Sequence, residues 1–300
     1  MNNDSPIVIY FVLLQKITTK MLKFVSFGSG SSGNCYYLYT ETEGLIIDIG
    51  VGIRTLKKQF RDFGLSLSSI HYVLITHDHA DHIKAAGKLS REYNIPVFAT
   101  PLIHEGMDKN WQNSVKIPVE NRHNIDKEEP FEIGSFRITA FPLPHDASEN
   151  VGYYIEVGDY RFTIMTDVGD VTEHVKEYIL KSTHLILEAN YDEEMLRQGR
   201  YPEILKERIV SGHGHLSNKK AASALAENFH EDIKNVWLCH LSEENNHPEL
   251  ARKTVETVLR SYGIIAGVDF SLDVLRRKIP TGPFQLGEVA NRQYSLAFEG

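Results

Sequence analysis

Residues 76–82 read Thr-His-Asp-His-Ala-Asp-His, three imidazoles and two carboxylates in seven positions, directly after the apolar run Tyr72-Val73-Leu74-Ile75. The run is β-branched and aromatic, so it reads as a buried strand. Ala80-Asp81-His82 reads as the entry to a helix, with Asp81 placed to cap or open it. His77 and His79 lie two apart and project to the same side of an extended loop. Imidazole and carboxylate are ligands for zinc, iron or manganese. The alternative is an unusually polar loop, but the HxHxDH spacing favours metal. One loop supplies too few donors for a full coordination shell, so further ligands are expected at strand ends elsewhere. His145 follows FRITAF, Asp167 follows YRFTIMT and His240 closes NVWLCH. Asp48, at the end of LIID, is read as a carboxylate that orients the histidine loop.

Around these residues, short strand-like runs recur: KFVSF, CYYLYT, GLIIDI, PVFAT, FRITAF, GYYIEV, YRFTIMT, THLILEA and NVWLCH. Helical patterns lie between them at 53–64, 86–94, 171–181, 218–230 and 248–263, three of which end on Gly or Asn. GYYIEVGDYRFTIMT reads as a hairpin turning at Gly158-Asp159. The pattern predicts an α+β protein with mixed sheets and helices outside. Residues 1–20 are read as an extension outside the core, 21–275 as the domain and 276–300 as a tail. IVIYFVLL, residues 7–14, is far shorter than the ~20 residues a bilayer span needs. Gly28-Ser-Gly-Ser-Ser-Gly33 matches GxGxxG, but a strand-like NCYYLYT follows where a dinucleotide site requires a helix. It reads instead as a tight turn, with the option that its amides face the active site.

The chain's 300 residues carry a formal net charge of -8, so binding nucleic acid would require a local basic patch. Cys35 and Cys239 are the only cysteines and fit a reducing cytosol, so the expected location is cytoplasmic.

These motifs, in this order, resemble the metallo-β-lactamase fold superfamily. FGSGSSGNCYYL and Gly214-His-Leu-Ser-Asn218 resemble more closely its YycJ/WalJ-like hydrolases. The resemblance implies a four-layer αββα sandwich with a dinuclear site on one rim, holding two divalent ions, zinc or manganese, with iron admissible. It implies that His77, His79 and His145 hold one ion, that Asp81, His82 and His240 hold the other, and that Asp167 bridges them. Two cations ~3.5–4 Å apart can share a bridging hydroxide at neutral pH. In related phosphodiesterases a histidine of the GHLS loop assists catalysis, which matches His215, with His213 in reserve. Asp81 and His215 are therefore given the catalytic roles, and Glu188 is expected to orient His215. Ser217 and Asn218 are expected to open a helix whose amides favour phosphate. Between 197 and 220, Arg197, Arg200, Lys206, Arg208, Lys219 and Lys220 face only Glu203 and Glu207. That run is either a solvated helix face or a track for a phosphate backbone. The leading expectation is a phosphodiesterase, a nuclease acting as a DNA exonuclease, with DNA or RNA as substrate and no membrane association. The rivals are a small-molecule hydrolase of a cyclic phosphodiester, thioester or lactone, and a non-catalytic regulatory metal-binding protein.

Overall fold

In the computed structural model, residues 21–286 are described; the expected extension 1–20 and the tail beyond 286 lie outside the described residues. The first sheet runs β1 (Leu22–Gly28), β2 (Cys35–Tyr39), β3 (Gly44–Ile47), β4 (Tyr72–Leu74), β5 (Val97–Ala99) and β6 (Arg122–Asn124) in spatial order. Pairing is antiparallel through β3 and parallel from β3 to β6. The second runs β7 (Phe131–Ile133), β8 (Phe136–Pro142), β9 (Val151–Val157), β10 (Tyr160–Met165), β11 (His184–Glu188), β12 (Asn235–Cys239) and β13 (Ser271–Val274). It too begins antiparallel and turns parallel, from β10 onward. The expected hairpin joins β9 to β10, with Val157 opposite Tyr160.

The sheets pack face to face. Phe24 of β1 touches Phe162 of β10 at 5.3 Å and Trp237 of β12 at 4.9 Å between ring centroids. Strand β12 explains why the central strands read as unbroken apolar runs. Trp237 and Cys239 join the core between the sheets. Val236 and Leu238 join a second core beneath helices α5 (Glu173–Lys181), α8 (Asn218–Glu227) and α9 (Pro248–Ser261). A strand buried on both faces has no polar alternation to show. On the other side, α1 (Ile53–Asp62) lays Ile53, Leu56 and Phe60 on the first sheet, with Phe60 stacked on Phe27 at 4.5 Å. Short α2 (Ala80–Ile83), α3 (Ala86–Tyr93) and α4 (Pro101–Lys109) complete that layer, giving the expected αββα order. Helices α6 (Glu193–Gln198) and α7 (Glu203–Val210) form a separate excursion between β11 and α8.

The segment read as a tail from 276 departs from expectation. Within it, β14 (Thr281–Leu286) pairs antiparallel with β1 and completes the first sheet as its seventh strand. TGPFQL hides this because it sits at an edge: only one side is paired, so Pro283 and poor alternation are tolerated.

Candidate metal centre

The carboxyl ends of β3, β4, β8, β10, β11 and β12 open on one rim, and each bears a titratable residue, in the loop that follows or, for β11, as its last residue Glu188. β8 runs parallel to β10–β12 because two antiparallel steps separate it from β10. Of the five non-glycine residues with positive φ among the described residues, three are here: Asp48 at 58°, Asp167 at 56° and His240 at 52°. Asp and His tolerate this left-handed conformation better than most residues, and it turns their side chains across the strand ends. The histidine loop is tied to the second sheet, since Tyr153 Oη donates to the Ile75 carbonyl at 2.6 Å and Val151 N to Thr76 O at 3.0 Å. Gly50 backs the loop so closely that a Cβ there would collide with the Asp81 carbonyl.

Seven expected ligand residues converge. His77, His79 and His145 form a triangle with ring centroids 4.7, 5.0 and 5.2 Å apart. Asp81 Oδ2 lies 3.6 Å from both His82 Nε2 and His240 Nε2, making a second triad. Asp167 sits between the triads: Oδ2 is 3.2 Å from His82 Nε2, while Oδ1 is 3.6 Å from His145 Nε2 and 3.3 Å from His240 Nδ1. Asp48 is fully buried behind them and accepts from Thr76 N, Thr76 Oγ1 and His82 Nδ1 at 2.7–2.8 Å. With its Nδ1 proton fixed there, His82 presents Nε2 to the cluster.

The donor set fits a divalent cation. His77 Nε2 and His240 Nε2 are buried with no hydrogen-bond partner, a costly condition unless something else satisfies them. Charge points the same way. Burial, then the neighbouring His82, push His77 well below the ordinary histidine range, so it is a neutral donor. Burial also opposes charge on His82 and His240, yet carboxylates outweigh it: Asp48 and Asp167 hold His82 well above its ordinary value, and Asp167 leads in raising His240 to about 10. Burial alone would raise Asp167, but His240 and His82 bring it well below the usual carboxylate range. A cluster that must keep protons to offset its carboxylates is one in which a cation can replace them.

A family profile described as "Beta-lactamase superfamily domain" matches residues 45–240, from β3 to the last histidine of the cluster. The chain belongs to the metallo-β-lactamase superfamily. Exodeoxyribonuclease YycJ of Bacillus anthracis is 34% identical over 260 residues, covering 87% of this chain and 97% of that one. Exodeoxyribonuclease WalJ of Streptococcus pneumoniae serotype 2 is 32% identical over 250 residues, covering 83% and 93%. The crystal structure of the metallo-β-lactamase fold protein YhfI from Bacillus subtilis matches with a TM-score of 0.65 at 17% identity, over 87% of this chain and 99% of that one. That last likeness concerns the fold alone. The chain is thus a YycJ/WalJ-like metal-dependent hydrolase of the metallo-β-lactamase superfamily.

Around this metallo-β-lactamase cluster, Glu188 is a fully buried hub. Its Oε1 accepts from His215 Nδ1 at 2.8 Å and His240 Nδ1 at 3.0 Å, and its Oε2 from Val168 N at 2.8 Å and Leu216 N at 3.1 Å. Burial would raise its pKa, but His215 and these bonds bring it below the ordinary value. His215 lies at the edge of the cluster, its ring centroid 5.1 Å from His145 and 5.3 Å from His240. The glycine-serine turn does reach the site, through side chains rather than amides alone. Ser29 Oγ accepts from His240 N at 2.9 Å. Asn34 Nδ2 points at His82 Nε2 at 2.8 Å, its Oδ1 being held by Gly30 N and Tyr36 Oη. Sequence reasoning missed both residues; the GSGSSGN pattern was the available signal.

Other expectations need correction. Ser217 does cap α8, accepting from Lys220 N, but it is buried and donates to Glu193, while buried Asn218 bonds Asn246. Their polar groups are already matched within the protein, so neither is an open phosphate donor. His213 is exposed on the loop before His215. The basic run is largely neutralised: Arg197 pairs with Glu194, Lys206 with Glu203, Arg208 with Asp146, Lys219 with Glu193 and Lys220 with Asp170. Exposed Arg200 is the member with no ion pair among the described residues. No helix among those residues is long and apolar enough to cross a membrane.

Proposed function

We propose that the protein is a two-metal phosphodiesterase acting on nucleic-acid ends, an exonuclease on DNA. The observation that carries this is Asp167, one buried carboxylate set between His145 of the His77-His79-His145 triad and His82 and His240 of the Asp81-His82-His240 triad. Divalent ions, zinc or manganese, supply Lewis acidity toward phosphoryl oxygens and acidify water toward pKa ~7. The chain's own groups do the rest. Asp81 and Asp167 balance the charge of the site. Glu188 holds His215 by Nδ1, which leaves Nε2 to deliver a proton to the departing oxygen. The names of two bacterial exodeoxyribonucleases similar to this chain over most of its length support DNA as the substrate.

The test is metal quantification followed by a panel of end-labelled single- and double-stranded DNA and RNA. Metal-loaded protein should contain two ions and shorten DNA from an end. Two bound ions with no cleavage of DNA, RNA or bis-p-nitrophenyl phosphate would overturn the proposal. One observation favours a second reading, a hydrolase of small phosphodiesters: five of the six basic residues between 197 and 220 are paired with acids and offer little to a long anionic chain. Cleavage of bis-p-nitrophenyl phosphate without degradation of the labelled strands would select it.

A further inference from the structure

Beside the metal cluster lies a cleft of ≈ 310 Å³ whose walls include Asp78 and Ala80 of the histidine loop and Asn110, Trp111 and Gln112 of the loop after α4. Trp111 is 83% exposed. Such exposure of the largest apolar side chain is unusual in a loop as closely held as this one. Lys116 Nζ donates to the carbonyls of Met107, Asp108 and Asn110 at 3.3, 2.6 and 3.3 Å. Asn110 Nδ2 donates to Asp78 O at 2.9 Å, and Asn110 Oδ1 accepts from Gln112 N at 2.9 Å. Gly106 of α4 presses on Asp78 so tightly that a Cβ would meet its carboxylate. The loop is therefore braced against the residues that carry His77, His79 and Asp81, and it holds a bare indole in water.

We propose that Trp111 is a stacking platform for an unpaired nucleobase of the strand being cleaved, with the Gln112 amide at the base edge. This rests on the nucleic-acid reading above and names the subsite that reading lacks. Asp78 and Ala80 in the cleft wall alternate along the chain with His77, His79 and Asp81, so the cleft flanks the loop that carries the cluster, and we place the neighbouring nucleotide of a strand bound at the cluster there. An indole face accepts any base, and the exposed Gln112 amide can meet its polar edge; a wholly apolar partner covering that amide would leave it unmatched. Stacking also needs no net positive charge, which suits a site whose basic residues are largely paired.

The two tryptophans make the test direct, because Trp237 is fully buried and Trp111 alone meets solvent. Chelator-treated protein is titrated with single-stranded oligodeoxyadenylate while tryptophan emission is followed. Wild type should show saturable quenching that Trp111→Ala lacks. In metal-loaded protein, Trp111→Ala should raise KM for the oligonucleotide roughly tenfold or more, and Trp111→Phe should restore most of it. Removing single bases from the substrate should find one position where wild type loses as much and Trp111→Ala loses nothing further. Metal content and melting temperature should match wild type in both variants. If wild type cleaves the strand and Trp111→Ala has an unchanged KM, the stacking inference falls alone. If wild type neither binds nor cleaves the strand, the nuclease reading has failed. A wild-type dimer in sedimentation that Trp111→Ala dissociates would assign the indole to a second copy of the chain and overturn the proposal.

Discussion

Replacing Glu188 by Gln tests how the cluster is held. The substitution keeps the shape and one oxygen, which can still accept from Val168 N and Leu216 N. The other position becomes an NH2 group facing the Nδ1 protons of His215 and His240, now donor against donor. Each lost contact is a hydrogen bond to a charged group, worth ~1.5–3 kcal/mol. Only the His240 share bears on metal affinity, because His240 Nε2 presents a lone pair to a metal only while Nδ1 keeps its proton. Affinity at the Asp81-His82-His240 triad should therefore fall roughly 10- to 150-fold, overlapping the ~10–100-fold loss typical for partners of metal-bound histidines. The His77-His79-His145 triad does not touch Glu188 and should bind as before. Competition against a chromophoric chelator resolves the two sites, and the activity lost at low metal should return with excess metal. Wild-type affinity at the Asp81-His82-His240 triad, or the same fold-loss at both triads, would refute the reasoning.

Asp167→Ala should abolish turnover and remove at least one ion, read by elemental analysis; normal rates with full metal would eliminate its bridging role. His215→Ala should keep both ions and slow the reaction by ~10²–10⁴-fold, the effect of a lost positioned acid; loss of metal would reassign it as a ligand. Away from the site, burial, and secondarily Lys234, depress His184 to about 4. The unfolded chain binds that proton first, near pH 6.5, so the stability contributed by neutral His184 is complete above that pH and is lost as pH falls toward 4, up to about 3 kcal/mol. In chelator, His184→Phe should flatten the pH dependence of the urea midpoint between those limits, and an unchanged slope would contradict the assignment.

The densest chemistry was the most legible. Three imidazoles and two acids in seven residues have no common structural use, and strand-final His145, Asp167 and His240 stand out against apolar runs. Ser29 and Asn34 did not, because serine and asparagine are ordinary turn residues and their reach to His240 and His82 depends on which strands become neighbours. The partners of the basic run were hidden for a related reason. Glu193 and Glu194 lie just upstream of the stretch counted; Glu194 pairs with Arg197 across one helical turn, Glu193 reaches Lys219 in α8, and Asp146 and Asp170 arrive from the loops after β8 and β10. Strands β6 and β14 escaped because an edge strand can be short, polar or proline-bearing.

That last strand has a practical consequence. Arg277 accepts Ser29 N through its carbonyl at 3.2 Å and donates through Nη1 to Ser242 O at 2.9 Å, so the approach to β14 clasps both the turn beneath His240 and the loop that follows it. Trimming the chain at residue 275 would uncover the hydrogen-bonding edge of LKFVSFG, inviting self-association. It would also slacken the support of a histidine more than thirty residues upstream, so the trimmed protein should precipitate readily and retain divalent metal poorly.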